Sequence, residues 1–241
     1  MEHKPLPDIR FFFSTSPGPC PYLQGRVERR VVTELVGCDT VALHNALSLA
    51  GYRRSHGIVY VPACPACDAC VAVRVVADEF KPSRSQRRIL NRNADLIVEE
   101  LPPIATEEQY DMFAAYQRTK HGDGDMSKMK FADYQGLIED TPIDTRLLEF
   151  RDSQLTLLGA CLVDLVDNGL SAVYSFYDLE HNRRSLGAHM ILALIERVRE
   201  TGRKYVYLGF WIADCDKMSY KAAYRPLEAR SHQGWGLMAA E

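Results

Sequence analysis

The hydrophobic and polar positions of this 241-residue chain alternate in some stretches and recur at helical spacing in others, which predicts a mixed α/β protein. Asp39 or Thr40 caps a helix that runs to about residue 50, with Gly51 as its stop signal. Residues 58–61 and 71–76 read as strands on either side of a cysteine-rich turn. Ser83 or Ser85 opens a second helix, to about Asn93, in which Arg84, Arg88 and Arg92 share a face at i, i+4 spacing. A strand over 95–101 then meets Pro102-Pro103. After it, Thr106-Glu107-Glu108-Gln109 carries the signature of a capped helix continuing to about Lys120.

The second half is more regular. Residues 146–150, 155–166 and 170–177 read as three strands, and Asn168-Gly169 between the last two is a strong hairpin signal. A helix over 186–200 follows, ending at Gly202, and then a buried strand over 205–208. Meander, helix, strand is the order of N-acetyltransferase-type domains. The expected fold is therefore α/β (α+β): an N-acetyltransferase-like mixed sheet with flanking helices, preceded by a Cys-rich N-terminal region. Pro102-Pro103 is the expected boundary, with residues 1–101 forming the Cys-rich domain with its basic helix and 102–241 the transferase domain.

Composition narrows the class. Hydrophobic content of 46% with 25% charged residues is that of a soluble globular protein. No stretch approaches the roughly 20 apolar residues that span a bilayer, and Met1-Glu2-His3-Lys4-Pro5 opens no signal peptide, so a cytoplasmic location and no membrane contact are expected. The formal charge of −3 means that a nucleic-acid partner must be held by a local patch. Lys81, Arg84, Arg87, Arg88 and Arg92, with no acidic residue among them, supply one.

Seven cysteines, an odd number in a reducing compartment, argue against a disulfide framework. Cys64, Cys67 and Cys70 stand at i, i+3 and i+6 and provide three soft ligands of the four that a structural zinc site uses. Cys20, in a rigid Pro/Gly loop, is the natural fourth, with Cys38 as the weaker candidate. A structural zinc ion and an iron–sulfur cluster would both use such a set; the alternative is a group of reduced thiols without metal.

An acetyltransferase would seat the pyrophosphate of coenzyme A on a glycine-rich helix N-terminus. The corresponding run here is Arg184-Ser185-Leu186-Gly187-Ala188-His189, where His189 replaces a small residue. An activated ester other than an acyl-coenzyme A is the better donor.

Several ordered motifs then agree: Cys20-Pro21-Tyr22-Leu23, Gly51-Tyr52-Arg53-Arg54-Ser55, the cysteine cluster, Ser83-Arg84-Ser85-Gln86-Arg87-Arg88, and the run from Trp211 through Lys217, Tyr220, Lys221 and Tyr224 to Pro226. Together they resemble the aminoacyl-tRNA–protein transferases of the arginyltransferase family, and the length and cysteine spacing are similar to its bacterial aspartate/glutamate leucyltransferase branch. The resemblance implies transfer of leucine from leucyl-tRNA to the α-amine of proteins beginning with Asp or Glu, which marks them for degradation. Arginyl transfer is the rival within the family. A coenzyme A-dependent N-acetyltransferase and a non-catalytic metal-knuckle RNA-binding module are the rivals outside it. An aminoacyl ester is already activated, so transfer requires no cofactor and no covalent enzyme intermediate. On this resemblance Lys217, Tyr220, Lys221 and Tyr224 are the candidate catalytic residues. Arg53, Arg54 and Arg74 are candidates for holding the acidic N-terminal side chain, and Arg84, Arg87 and Arg88 for contacting the tRNA backbone.

Overall fold

A computed structural model describes residues 10–122 and 124–239. From the N-terminal side, short strands β1 (Phe13–Ser14), β2 (Gly18–Pro19) and β3 (Val27–Glu28) precede β4 (Arg30–Glu34), helix α1 (Thr40–Leu49) and strands β5 (Arg53–Ser55), β6 (Ile58–Pro62) and β7 (Val71–Val76). Helix α2 (Arg84–Arg92) leads to β8 (Ile97–Leu101), then α3 (Glu107–Lys120) and α4 (Phe131–Glu139). The meander β9 (Thr145–Arg151), β10 (Leu157–Val166) and β11 (Gly169–Tyr177) is followed by α5 (Leu186–Glu200) and β12 (Tyr205–Trp211). A short helix α6 (Asp216–Ser219), a 3-10 turn over Tyr220–Ala223 and a hairpin of β13 (Leu227–Ser231) and β14 (Gly234–Leu237) close the chain.

The local signals explain the helices. Asp39 accepts from the amide of Ala42 at the start of α1, and Gly51, at φ +92°, turns the chain out of its far end. Ser83 and Gln86 form a reciprocal capping box on α2, and Thr106 and Gln109 form the same device on α3. The hairpin expected at Asn168-Gly169 joins β10 to β11 in register.

Eight strands form one mixed sheet in the order β14-β13-β7-β12-β11-β10-β9-β8. Alternation along each strand sends neighbours to opposite faces. Leu148, Cys161 and Val163 face one core with Met190, Leu194 and Val198 of α5, while Leu147, Ala160 and Leu162 face another with Phe113 of α3 and Tyr134 of α4. The meander–helix–strand order of N-acetyltransferase-like domains is thus present, with β11 and β12 parallel. The boundary at Pro102-Pro103 does not divide two bodies. β7 and β8 come from the first 101 residues and belong to the large sheet, β7 between β13 and β12 and β8 at its edge beside β9, because strand pairing joins segments far apart in the chain. The sequence reading missed α4, the strands β4 and β5, and the final hairpin.

A second, four-stranded sheet in the order β1-β4-β6-β5 carries the N-terminal residues. It is tied to the large sheet by a buried polar network. Arg54 on β5 donates from Nε and Nη2 to both oxygens of Asp164 on β10, each at 2.7 Å, and from Nη1 to the carbonyl of His56. Thr145 on β9 donates to Asp164 at 2.9 Å, and His44 of α1 lies 3.6 Å away, kept neutral by burial more than it is charged by Asp164. Both members of the Arg54–Asp164 pair are essentially excluded from solvent. Removing one partner strands the other charge in the interior, so Arg54→Met is expected to cost about 3–5 kcal/mol of folding stability, read from chemical denaturation midpoints. Adding Asp164→Leu to that variant should recover a large part of the loss.

Candidate active site

β11 and β12 pair in parallel only from Gly169–Tyr205 to Ser171–Tyr207, although both strands run on. Arg53, adjacent to Arg54 on β5, enters the gap beyond. Its Nη2 donates to the carbonyls of Ala172 and Val173 at 3.0 Å, and its Nη1 donates to that of Leu208 at 3.2 Å. Backbone groups that would otherwise close the sheet therefore end on a guanidinium. Gly209 makes this possible: it sits at φ +73° in a register shift of β12, and a side chain there would collide with Arg53 Nη1.

Below this gap lies Lys221, only 4% exposed, on the turn over Tyr220–Ala223. Its Nζ donates to the carbonyl of Phe210 and lies 3.3 Å from the sulfur of Met218. Burial, and then the positive charge of Arg53, pull its pKa down to about 7, so a large fraction of this amine is neutral at physiological pH. Tyr220 beside it is half-exposed, and burial raises its hydroxyl pKa. An aromatic wall continues from there. The rings of Tyr116 and Tyr177 are 5.0 Å apart, and those of Tyr116 and His121 are 5.9 Å apart. Burial and the nearby Lys217 hold His121 below the usual histidine range.

On the other side of Phe210 is a cavity lined by Cys20, Cys64, Cys67 and Cys70 together with Tyr22, Arg26, Glu28, Arg30, Tyr60 and Asp68. Four thiols on one cavity are a donor set for a soft ion, and backbone amides point at two of the sulfurs: Leu23 at Cys20 and Arg29 at Cys64. Burial and the three other thiols push Cys70 up to about 11. Among the described residues, no three His, Cys, Asp or Glu side chains are grouped closely enough to hold an ion as they stand.

The candidate residues therefore separate. Lys217, Tyr220 and Lys221 come together around the gap. Tyr224 does not: it is 4% exposed, its ring stacks on Phe80, and it belongs to the main core because the turn ends by diving under α2. Of the three arginines assigned to an acidic side chain, Arg54 is consumed by Asp164. Arg74 is consumed by Glu228 at 2.7 Å and the hydroxyl of Tyr207, and it stacks 3.5 Å from the ring of Tyr205 and 4.3 Å from that of Trp235. Arg53 is held by three carbonyls. Asp164, Glu228 and Leu208 lie 110, 154 and 155 residues along the chain from the arginines they hold, beyond the reach of any local pattern.

Arg84, Arg87 and Arg88 are exposed on the outer face of α2. The helix is pinned from within by Gln86, whose side-chain amide donates to the carbonyl of Ala223 at 3.0 Å, at the end of the turn that carries Lys221. The start of α5 is not open to a pyrophosphate, since the ring of Tyr177 closes over it: a Cβ on Gly187 would meet that ring at 2.9 Å. His189 is buried, its ring edge-to-face with that of Phe150 at 5.8 Å. Among the described residues, no helix is long and apolar enough to cross a membrane.

Comparison with known proteins gives a consistent picture. The profile of the arginine-tRNA-protein transferase C terminus matches residues 108–231, and that of the N terminus matches residues 18–88. An aspartate/glutamate leucyltransferase of Paramagnetospirillum magneticum is 52% identical over 235 residues, covering 98% of this chain and 96% of that protein. Another, of Granulibacter bethesdensis, is 50% identical over 234 residues, covering 97% and 88%. Among solved structures, L-PGS from Bacillus licheniformis aligns with a TM-score of 0.48 at 13% identity, over 75% of this chain and 52% of that one.

The wedge is testable. Gly209→Ala combines a left-handed backbone with a collision, and is expected to cost on the order of 2–3 kcal/mol by thermal or chemical unfolding. In a Gly209→Ala/Arg53→Ala cycle the collision vanishes, so a coupling of about 1 kcal/mol or more is expected.

Proposed function

The chain belongs to the arginine-tRNA-protein transferase family and is a transferase; on that premise we propose that it moves leucine from leucyl-tRNA to the α-amine of proteins whose first residue is Asp or Glu. The choice of leucine over arginine is supported by the names of relatives about half identical along the whole chain. The observation that carries the chemistry is the buried amine of Lys221, held by the carbonyl of Phe210 beneath a gap walled by Tyr220, Tyr177 and Tyr116, where burial pulls its pKa down to about 7.

In the proposed step the acceptor α-amine attacks the ester carbonyl of the aminoacyl group. A C–N bond forms and the ester C–O bond breaks. The proton shed by the attacking nitrogen passes to Nζ of Lys221, and the departing ribose oxygen of the tRNA takes up a proton in turn. A lysine of pKa near the working pH suits this exchange. The tyrosine wall offers a stacking surface for the unpaired terminal base, and Lys217 at the rim offers a cation for a nearby phosphate. The exposed arginines of α2 would hold the tRNA backbone farther out. No cofactor takes part in the transfer. The four thiols are a proposed seat for a structural zinc ion or iron–sulfur cluster, which would brace the loops around residues 20 and 64–70.

Purified protein should move label from leucyl-tRNA, and not from arginyl-tRNA, onto peptides beginning Asp or Glu. Label moving only from arginyl-tRNA, or from acetyl-coenzyme A, would overturn the proposal. Lys221→Met should lower kcat by about 10²–10⁴-fold. A lysine pulled down to about 7 is protonated below that pH and neutral above it, so wild-type kcat should rise as pH increases through 7, and the Lys221→Met profile should lose that inflection. Replacing Arg84 and Arg88 together by Ala should weaken tRNA binding and reduce the slope of log K against log salt by about 1–2, read by filter binding at several salt concentrations.

A further inference from the structure

With Arg53, Arg54 and Arg74 all engaged internally, an acidic first residue needs another partner, and the thiol-lined cavity contains two further arginines. Arg26 lies at its edge, exposed, and among the described residues its guanidinium makes no hydrogen bond or ion pair. Arg30 stands in the same cavity, 5.0 Å above the ring of Tyr60, and pairs with Glu28 through contacts of 2.9 to 3.2 Å. Glu28 and Asp68 supply carboxylates to the same lining.

We propose that this cavity binds the first residue of the acceptor polypeptide, with its acidic side chain on Arg26 and Arg30 and its α-ammonium on Glu28. An N-terminal Asp or Glu carries a cation and an anion a few bonds apart, and the cavity offers both complements side by side in Glu28 and Arg30. In the free protein Glu28 and Arg30 satisfy each other while still partly open to water, at 28% and 35% exposure, so exchanging partners with a substrate of matching charges desolvates no unpaired group. Arg26 is held in a tight turn, its amide donating to the carbonyl of Leu23 and its carbonyl accepting from the amide of Cys20, which aims a long side chain from a short rigid loop. The cavity also adjoins the chemistry. Phe210 lines it, and the carbonyl of Phe210 accepts from Lys221 Nζ, so one residue separates the two. Arg26 and Arg30 repel a basic first side chain.

The inference rests on the transfer reading for the identity of the ligand, and binding can be measured without transfer. Fluorescence anisotropy of labelled peptides beginning Asp, Asn or Lys, with full-length protein and no tRNA, should show a preference for Asp. Arg26→Ala should weaken the Asp peptide by about 10- to 100-fold, the loss of one charge-assisted hydrogen bond, while leaving the Asn peptide little changed. Glu28→Gln should weaken both. Arg26 is exposed, so its variant should keep the wild-type unfolding temperature. In the transfer assay Arg26→Ala should raise KM for the peptide and not for leucyl-tRNA. Equal wild-type affinity for Asp and Asn peptides, or an Arg26→Ala variant that binds Asp peptide normally, overturns the inference. So does a variant whose KM rises for leucyl-tRNA with a shallower salt slope, since Arg26 would then be a tRNA contact. A wild-type protein that selects Asp peptides yet transfers no leucine overturns the donor reading alone and leaves the cavity assignment standing.

Discussion

Two consecutive arginines on a three-residue strand hold the molecule in its working shape. Successive side chains of a strand point to opposite sides, so Arg53 and Arg54 reach two different parts of the large sheet from one short segment of the small one. Arg54 closes on Asp164 inside a dry network that also holds Thr145 and lies beside His44. Arg53 lies between β11 and β12 and ends the pairing there. The first arginine opens the site, and the second fixes the body from which it is opened.

The open gap has an electrostatic consequence for its floor. A guanidinium that cannot lose its proton sits close to a lysine that can, and burial works on that lysine in the same direction. The result is an amine poised near neutrality without a neighbouring carboxylate base among the described residues. The phenolic wall of Tyr116, Tyr177 and Tyr220 keeps the surroundings poor in water and supplies flat faces at the rim. The arginines of α2 are kept outside, exposed to solvent.

What could be read from the chain and what could not follow the range of the interactions. Ser83 with Gln86, Thr106 with Gln109, and Asn168-Gly169 act within four residues, and each placed its element. The thiols at 64, 67 and 70 act nearly as locally, and the cavity lined with Cys20 was foreseeable from spacing and loop rigidity. The roles of the arginines were not. Arg54 and Arg74 look like free cations in sequence, and only the arrival of Asp164 and Glu228, 110 and 154 residues later, turns them into interior struts. Tyr224 reads as one of an evenly spaced set with Tyr220, yet a change of direction after one 3-10 turn sends it into the core. The proline pair at 102–103 looked like a linker because its neighbours β8 and α3 are strong local elements, and sheet pairing across it leaves no local trace.

Gln86 gives α2 a role beyond displaying its arginines. Its amide is fastened to the last carbonyl of the turn that holds Lys221, so the outer, arginine-bearing helix and the buried amine are joined by a strut. A large ligand pulling on the outside of α2 cannot tilt that helix without breaking this strut or carrying the amine along. A load on the outer surface of α2 is therefore passed to the turn that carries the buried amine.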